Sequence, residues 1–162
     1  MASDGTEERD FKIKLREELL SINELEGWIS PSTVIVLESA ETLKDQKFGQ
    51  ALIAITDVSV IPDLHLFGAI GGQITFECSL NVVIRNSEDS EGALPSAIVG
   101  ITEGPSIPII DGALRNGLDM STLGSWAFDT NLGVGEPILS IEIPNGTVGR
   151  RYRFSAIKEV AL

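Results

Sequence analysis

The sequence predicts an α+β domain: a mainly antiparallel sheet of about five to six strands, an N-terminal amphipathic helix, and one or two short helices after a long central strand. Three observations predict it. From Gln73 to Arg85, Ile74, Phe76, Cys78, Leu80, Val82 and Ile84 hold one parity while Thr75, Glu77, Ser79, Asn81 and Arg85 hold the other, with Val83 the only break. Side chains alternate faces along a strand, so this is a strand with one dry and one wet face. At about 3.4 Å per residue it reaches about 40 Å, far beyond a typical strand. A second run, Ala51 to Ile61, is apolar on both parities in its first half, as in a strand covered from two sides. Before both, Phe11, Leu15, Leu19 and Ile22 recur at helical spacing, with Arg9, Lys12, Lys14, Arg16, Glu17 and Glu18 filling the other face.

Taken in order, residues 1–6 are small and polar and are expected to be mobile, and 7–162 form one domain. The helix runs from Glu7 to about Glu24. Thr6 is placed to cap it, Glu7 and Glu8 suit the positive end of its dipole, and Gly27 and Ser30-Pro31 end the unit. Thr33 to Leu37 is a short Val/Ile strand, and Glu38 to Lys47 a charged connection. In the second strand Leu52, Ala54, Thr56, Val58 and Val60 share one parity; Ile53, Ile55, Asp57, Ser59 and Ile61 share the other. Pro62, Gly68, Gly71 and Gly72 bracket a loop before the long strand, and Asn86 to Gly92 is an acidic turn after it. Ala93 to Ile101 has the pattern of a short helix. Gly104-Pro105 and Pro108 then interrupt the chain, and Asp111 to Leu118 resumes for a turn or two. Trp126 and Phe128 suggest a short strand between Gly124 and Gly135. Pro137–Ile143 and Val148–Val160 flank Asn145-Gly146, a strong hairpin signal because both residues tolerate the positive φ of a type I′ turn.

Composition excludes several classes of function. Hydrophobic residues make up 43% of the chain and aromatics only 6%, so the core rests on Ile, Leu, Val and Ala. A formal charge of −12 opposes direct binding to nucleic acid or to an anionic membrane surface. The start, MASDGTEERD, lacks the basic-then-apolar layout of a signal peptide, and no apolar run approaches the length of a membrane span. One cysteine cannot make an intrachain disulfide, which fits a protein made in a reducing cytoplasm.

Patterns for catalysis are weak. Asp63 and His65 have i, i+2 metal-ligand spacing, but no Cys or second His supports them, and the same His is the only partner for Cys78 as a nucleophile. Cys78 lies among Ile, Phe and Leu, where an inert buried thiol is expected. Gly68-Ala-Ile-Gly71-Gly72 leads into a strand with no Lys following, unlike a phosphate loop. The reading is therefore a non-enzyme with no cofactor or metal. One charge feature stands out: Arg150, Arg151 and Arg153 fall within four positions of an acidic chain. On a strand Arg151 and Arg153 share a face, with Arg150 and Tyr152 on the other. Such a cluster is either a solvated face with local ion pairs or a docking patch between subunits. Glu88, Asp89 and Glu91 are its acidic complement, on the same chain or the next.

The order of these elements resembles the tail terminator (tail completion) proteins of long-tailed bacteriophages. The match runs through the helix Glu7–Glu24, the apolar strand Gly49–Thr56, the long strand Gln73–Arg85 with its acidic turn and helical segment, and the closing strand Arg150–Val160. The resemblance implies a structural virion protein of the tail and neck. Similar proteins form a six-membered ring that caps the tail tube, so the implied partners are copies of itself, the tail tube protein, and a neck or head-completion protein. Another neck or tail-tube subunit has a similar pattern. A different reading is a β-rich sugar- or peptide-binding module with Trp28, Trp126, Tyr152 and Phe128 as its aromatic platform, though aromatics are sparse.

Overall fold

The computed structural model describes residues 6–63, 71–85 and 105–161. Within them a six-stranded sheet carries helix α1 (Thr6–Leu20) and helix α2 (Ile107–Leu118). The strands are β1 (Val34–Val36), β2 (Ala51–Asp63), β3 (Gly71–Arg85), β4 (Asp129–Leu132), β5 (Glu136–Pro137) and β6 (Thr147–Ala161). Their order across the sheet is β1-β2-β3-β6-β4, with β5 also on β6. All pairs are antiparallel except β1 with β2. The acidic turn and the helix expected at 93–101 lie outside the described residues, as do His65 and most of the loop before β3.

Alternation in β3 sorts the sheet into two faces. On the helix side Ile74, Phe76, Cys78, Leu80, Val82 and Ile84 join Phe11, Leu15 and Leu19 of α1 and Ile110 and Leu114 of α2 in the main core. Phe11 stacks on Phe76 with centroids 4.9 Å apart, and Trp126 closes on Phe76 at 5.0 Å. The fully buried Phe11 and Phe76 rings each contribute about 1.5–3 kcal/mol. Burial also raises the Cys78 thiol pKa far above its usual value, so the thiol stays protonated, as its sequence position predicts. The reverse face has a smaller core at one end, where Leu43, Leu52, Ala54, Val83, Ile138 and Ile143 pack together. Leu43 reaches it from a 3-10 turn (Ala40–Asp45) inside the charged connection. The first half of β2 is thus covered from both sides, as its double apolar parity requires.

α1 takes in Thr6, expected as its cap, and ends at Leu20, short of the expected Glu24, and the strand expected around Trp126 and Phe128 begins only at Asp129. Three further departures have a clear physical reason. In β2 the pairing steps from Thr56↔Ser79 to Ser59↔Glu77, so two residues of β2 oppose one of β3. This is a β-bulge, and Asp57 adopts a left-handed φ of 55° within it. The extra residue swaps the faces, so Val58 and Val60 pack against the helix-side core instead of following Leu52 and Ala54. Pro108 does not break the chain. It sits in the first turn of α2, where no backbone donor is needed, and Ser106 caps that turn through its hydroxyl to Ile109 N–H at 3.4 Å. Asn145-Gly146 does not join two strands directly: β5 ends at Pro137 and a 3-10 turn (Ser140–Glu142) intervenes. Only Gly146 takes a left-handed φ, 76°, where a type I′ turn needs it at both positions.

Candidate assembly surface

β2, β3 and β6 run on beyond the bulge as an arm, Ser59–Asp63, Gly71–Glu77 and Ser155–Ala161, with β4 alongside β6 as far as Ile157. Helix α1 covers its apolar side. There Lys158 lies 3.6 Å from Glu7 and 4.5 Å from the Trp126 ring centroid. The other side is open. Cross-strand register aligns Ile61, Thr75, Ile157 and Asp129 in one row and Ser59, Glu77, Ser155 and Asn131 in the next. Ser59, Ile61, Asp129 and Asn131 are exposed and the rest half-buried. β1 pairs β2 only as far as the bulge, ending with Leu37 N–H to Ile55 O and Asp57 N–H to Glu38 O. Among the described residues no strand pairs the outer edge of β2 beyond it.

The arginine cluster lies on β6, and the parity expected for it holds. Arg151 and Arg153 point to the reverse face. Arg151 Nε donates to Asn81 Oδ1 at 2.6 Å, and its Nη2 is 4.0 Å from Glu142 Oε1. Asn81 in turn donates to Ala54 O at 3.1 Å and to Thr56 Oγ1 at 2.9 Å, and Thr56 donates to Asp57 Oδ2 at 3.0 Å. This buried chain of polar contacts ties β6 to β3, β2 and the bulge. Arg153 is exposed and pairs with Glu77 at 3.5 Å. Arg150 stands on the helix side beside Tyr152, both against Gly135, where a Cβ would lie 2.5 Å from Arg150 Cδ. The three arginines therefore form no single patch: two are engaged within the chain on one face and one lies on the other. Glu88, Asp89 and Glu91 lie outside the described residues.

Reading the sequence alone missed Asn81 and Glu142 as partners of Arg151, because one is 70 residues away and the other sits on a turn expected to be a strand. It also missed the cluster around Asp111. Tyr152 OH donates to Asp111 Oδ1 at 2.8 Å, Arg115 Nε reaches Oδ2 at 3.2 Å, and Arg115 also bonds Leu132 O and Gly133 O. Burial first, then the bond to Asp111, raises the Tyr152 phenol pKa well above its usual value. The aromatic platform is not assembled: Tyr152 is buried, Trp28 and Trp126 pack against the core, and of the four only Phe128 is exposed, at 47%. Among the described residues no three His, Cys, Asp or Glu side chains are grouped to hold a metal, and no helix is long and apolar enough to cross a membrane.

No family model matches the chain, and no curated protein matches it. Among solved structures it is similar to the sheath/tube terminator, in the extended state, of an extracellular contractile injection system, PVC. The identity is 14% and the TM-score 0.40, over 93% of this chain and 56% of that one, so the chain spans little more than half the neighbour's length.

Proposed function

We propose that this chain is a structural subunit of a phage-type tail, a terminator whose copies close into a ring on the end of the tail tube and meet the neck on the other side. The observation that supports it best is the arm. Among the described residues its β2 edge is left unpaired, and its open face mixes Ser59, Glu77, Ser155 and Asn131 with Ile61 and Ile157. An uncovered edge is a pairing liability. Heterologous contacts in a closed ring cover every such edge with one repeated interface. The element order shared with tail terminators supports the same reading. At −12 per subunit, free copies repel one another, and salt or a finished tube supplies the compensation. The test is light scattering coupled to size exclusion, with negative-stain images, at ionic strengths from about 0.01 to 1 M. Rings of about six copies with a central hole are expected. A monomer at every salt concentration that also leaves purified tail tubes uncapped would sink the reading.

A further inference from the structure

Arg150 differs from its two neighbours in the cluster. Arg151 and Arg153 each face a carboxylate, whereas Arg150 has neither a hydrogen-bond acceptor nor an ion-pair partner among the described residues. Its Nε is shut off from solvent with nothing to donate to, as is Arg151 Nη2, so the donors that a partner can reach on Arg150 are its two terminal nitrogens. The nearby carboxylate of Asp111 already receives Tyr152 and Arg115. A buried donor left unpaired is costly, more so on a charged group, and needs an explanation. Arg150 lines a groove of about 320 Å³, at the lower end of the size range of ligand sites, with Ile107, Pro137, Ile138, Ile143 and Val148. Those walls are aliphatic and contain no aromatic ring. Ser140 also lines it, and its chain neighbours Leu139 and Ile141 are 65% and 79% exposed, so apolar surface continues past the rim.

An aliphatic groove with one unpaired guanidinium fits an occupant that places a branched apolar group beside a carboxylate. We propose that the groove takes a segment of a partner protein carrying a Leu, Ile or Val next to Asp or Glu. The aliphatic side chain lies between Ile107, Ile138 and Val148, and the carboxylate on Arg150. A chain segment suits the site better than a free acid because the exposed Leu139 and Ile141 give its flanking residues something to cover. This goes beyond the ring reading and stands without it.

The test uses the full chain and backbone-amide NMR, with end-blocked six-residue peptides of Gly and Ser around a central Leu-Glu. Saturable shifts are expected at Ile138, Gly149 and Arg150, with a dissociation constant on the order of 1 mM. Changing the peptide to Leu-Gln or Ala-Glu weakens binding by about tenfold or more, a loss of about 1.4 kcal/mol. In Arg150→Gln the preference for Leu-Glu over Leu-Gln disappears. Equal binding of Leu-Glu and Leu-Gln to the unmodified chain, shifts confined to other residues, or no saturable shift at all would each overturn the proposal. If 4-methylpentanoate binds as tightly as the peptide, a small acid and not a protein segment is the occupant, and the proposal fails on that count.

Discussion

Phe76 and Glu77 are consecutive residues of β3, yet almost everything about their surroundings differs. Phe76 is fully buried between Phe11 and Trp126. Glu77 stands in a row with Ser59, Ser155 and Asn131 and, among the described residues, pairs only with the exposed Arg153. The helix side defines the fold through volume and contact, where nearly any polar atom is a penalty. Beyond the second core and the buried Asn81–Thr56 pair, the reverse face is screened by solvent, so its exposed side chains contribute little to folding. A single strand thus serves two masters by parity.

The largest expected effect breaks the comparison on the helix side. Phe76→Ala should lower unfolding stability by about 3–5 kcal/mol in a denaturant titration, because Phe11 and Trp126 cannot close the cavity. Next comes Asn81→Ala, at the boundary between the covered and open parts of the reverse face. It strips partners from Arg151 and Thr56 in a buried setting, and a loss of about 1–3 kcal/mol is expected. A change below about 0.5 kcal/mol would show that water replaces Asn81 there, and that the open face begins nearer the second core.

Tyr152 offers a smaller and more specific test on the helix side. It is the only tyrosine, so tyrosinate absorbance has one source. Its phenol pKa is raised in the fold, by burial and by its bond to Asp111. Such a group stabilises the fold fully below the unfolded phenol pKa and loses that contribution as pH rises toward the folded value. Stability should therefore begin to fall above about pH 10, with absorbance appearing together with unfolding. Tyr152→Phe should cost about 1 kcal/mol at neutral pH and remove that alkaline slope. Tyrosinate forming near pH 10 in a still-folded chain would mean the phenol is reachable by water. Smallest of all is Arg153→Ala, expected within about 0.5 kcal/mol because its pair with Glu77 is exposed. A larger loss in the isolated chain would mean this face is structural, not a surface held for a partner.

Much of this was legible in the sequence where one local rule decides. The parity of Gln73–Arg85 placed β3 and its two faces, and the same parity put Arg151 and Arg153 together. The spacing of Phe11, Leu15 and Leu19 placed α1. What failed was whatever depends on a neighbour strand. Val58 and Val60 continue the apolar parity of Leu52 and Ala54 in the sequence, and only the pairing with β3 shows the bulge that moves them to the other face. Pro108 reads as a breaker unless the helix start at Ser106 is known. Asn145-Gly146 is a local hairpin signal overridden by the packing of Ile138 and Ile143 into the second core. The groove at Arg150 gathers Ile107, Ile138 and Val148 from three separate segments, and no spacing in the chain announces it.

The strand order has a consequence for how the chain comes to be folded. β6 is the last strand, yet it lies between β3 and β4 and also holds β5. During synthesis, α1 and the β2–β3 pair can form early, but β4 and β5 have nowhere to dock and one long edge of β3 stays open. The sheet closes only when the final strand slides into the vacancy, joining residues such as Asn81 and Arg151 that are 70 positions apart. Long-range closure of this kind is slow, and a nascent chain waiting for it exposes an apolar edge on which other chains can seed. Chains truncated before β6 should therefore depend on chaperones far more than chains that carry it, which makes the docking of this one strand a determinant of yield.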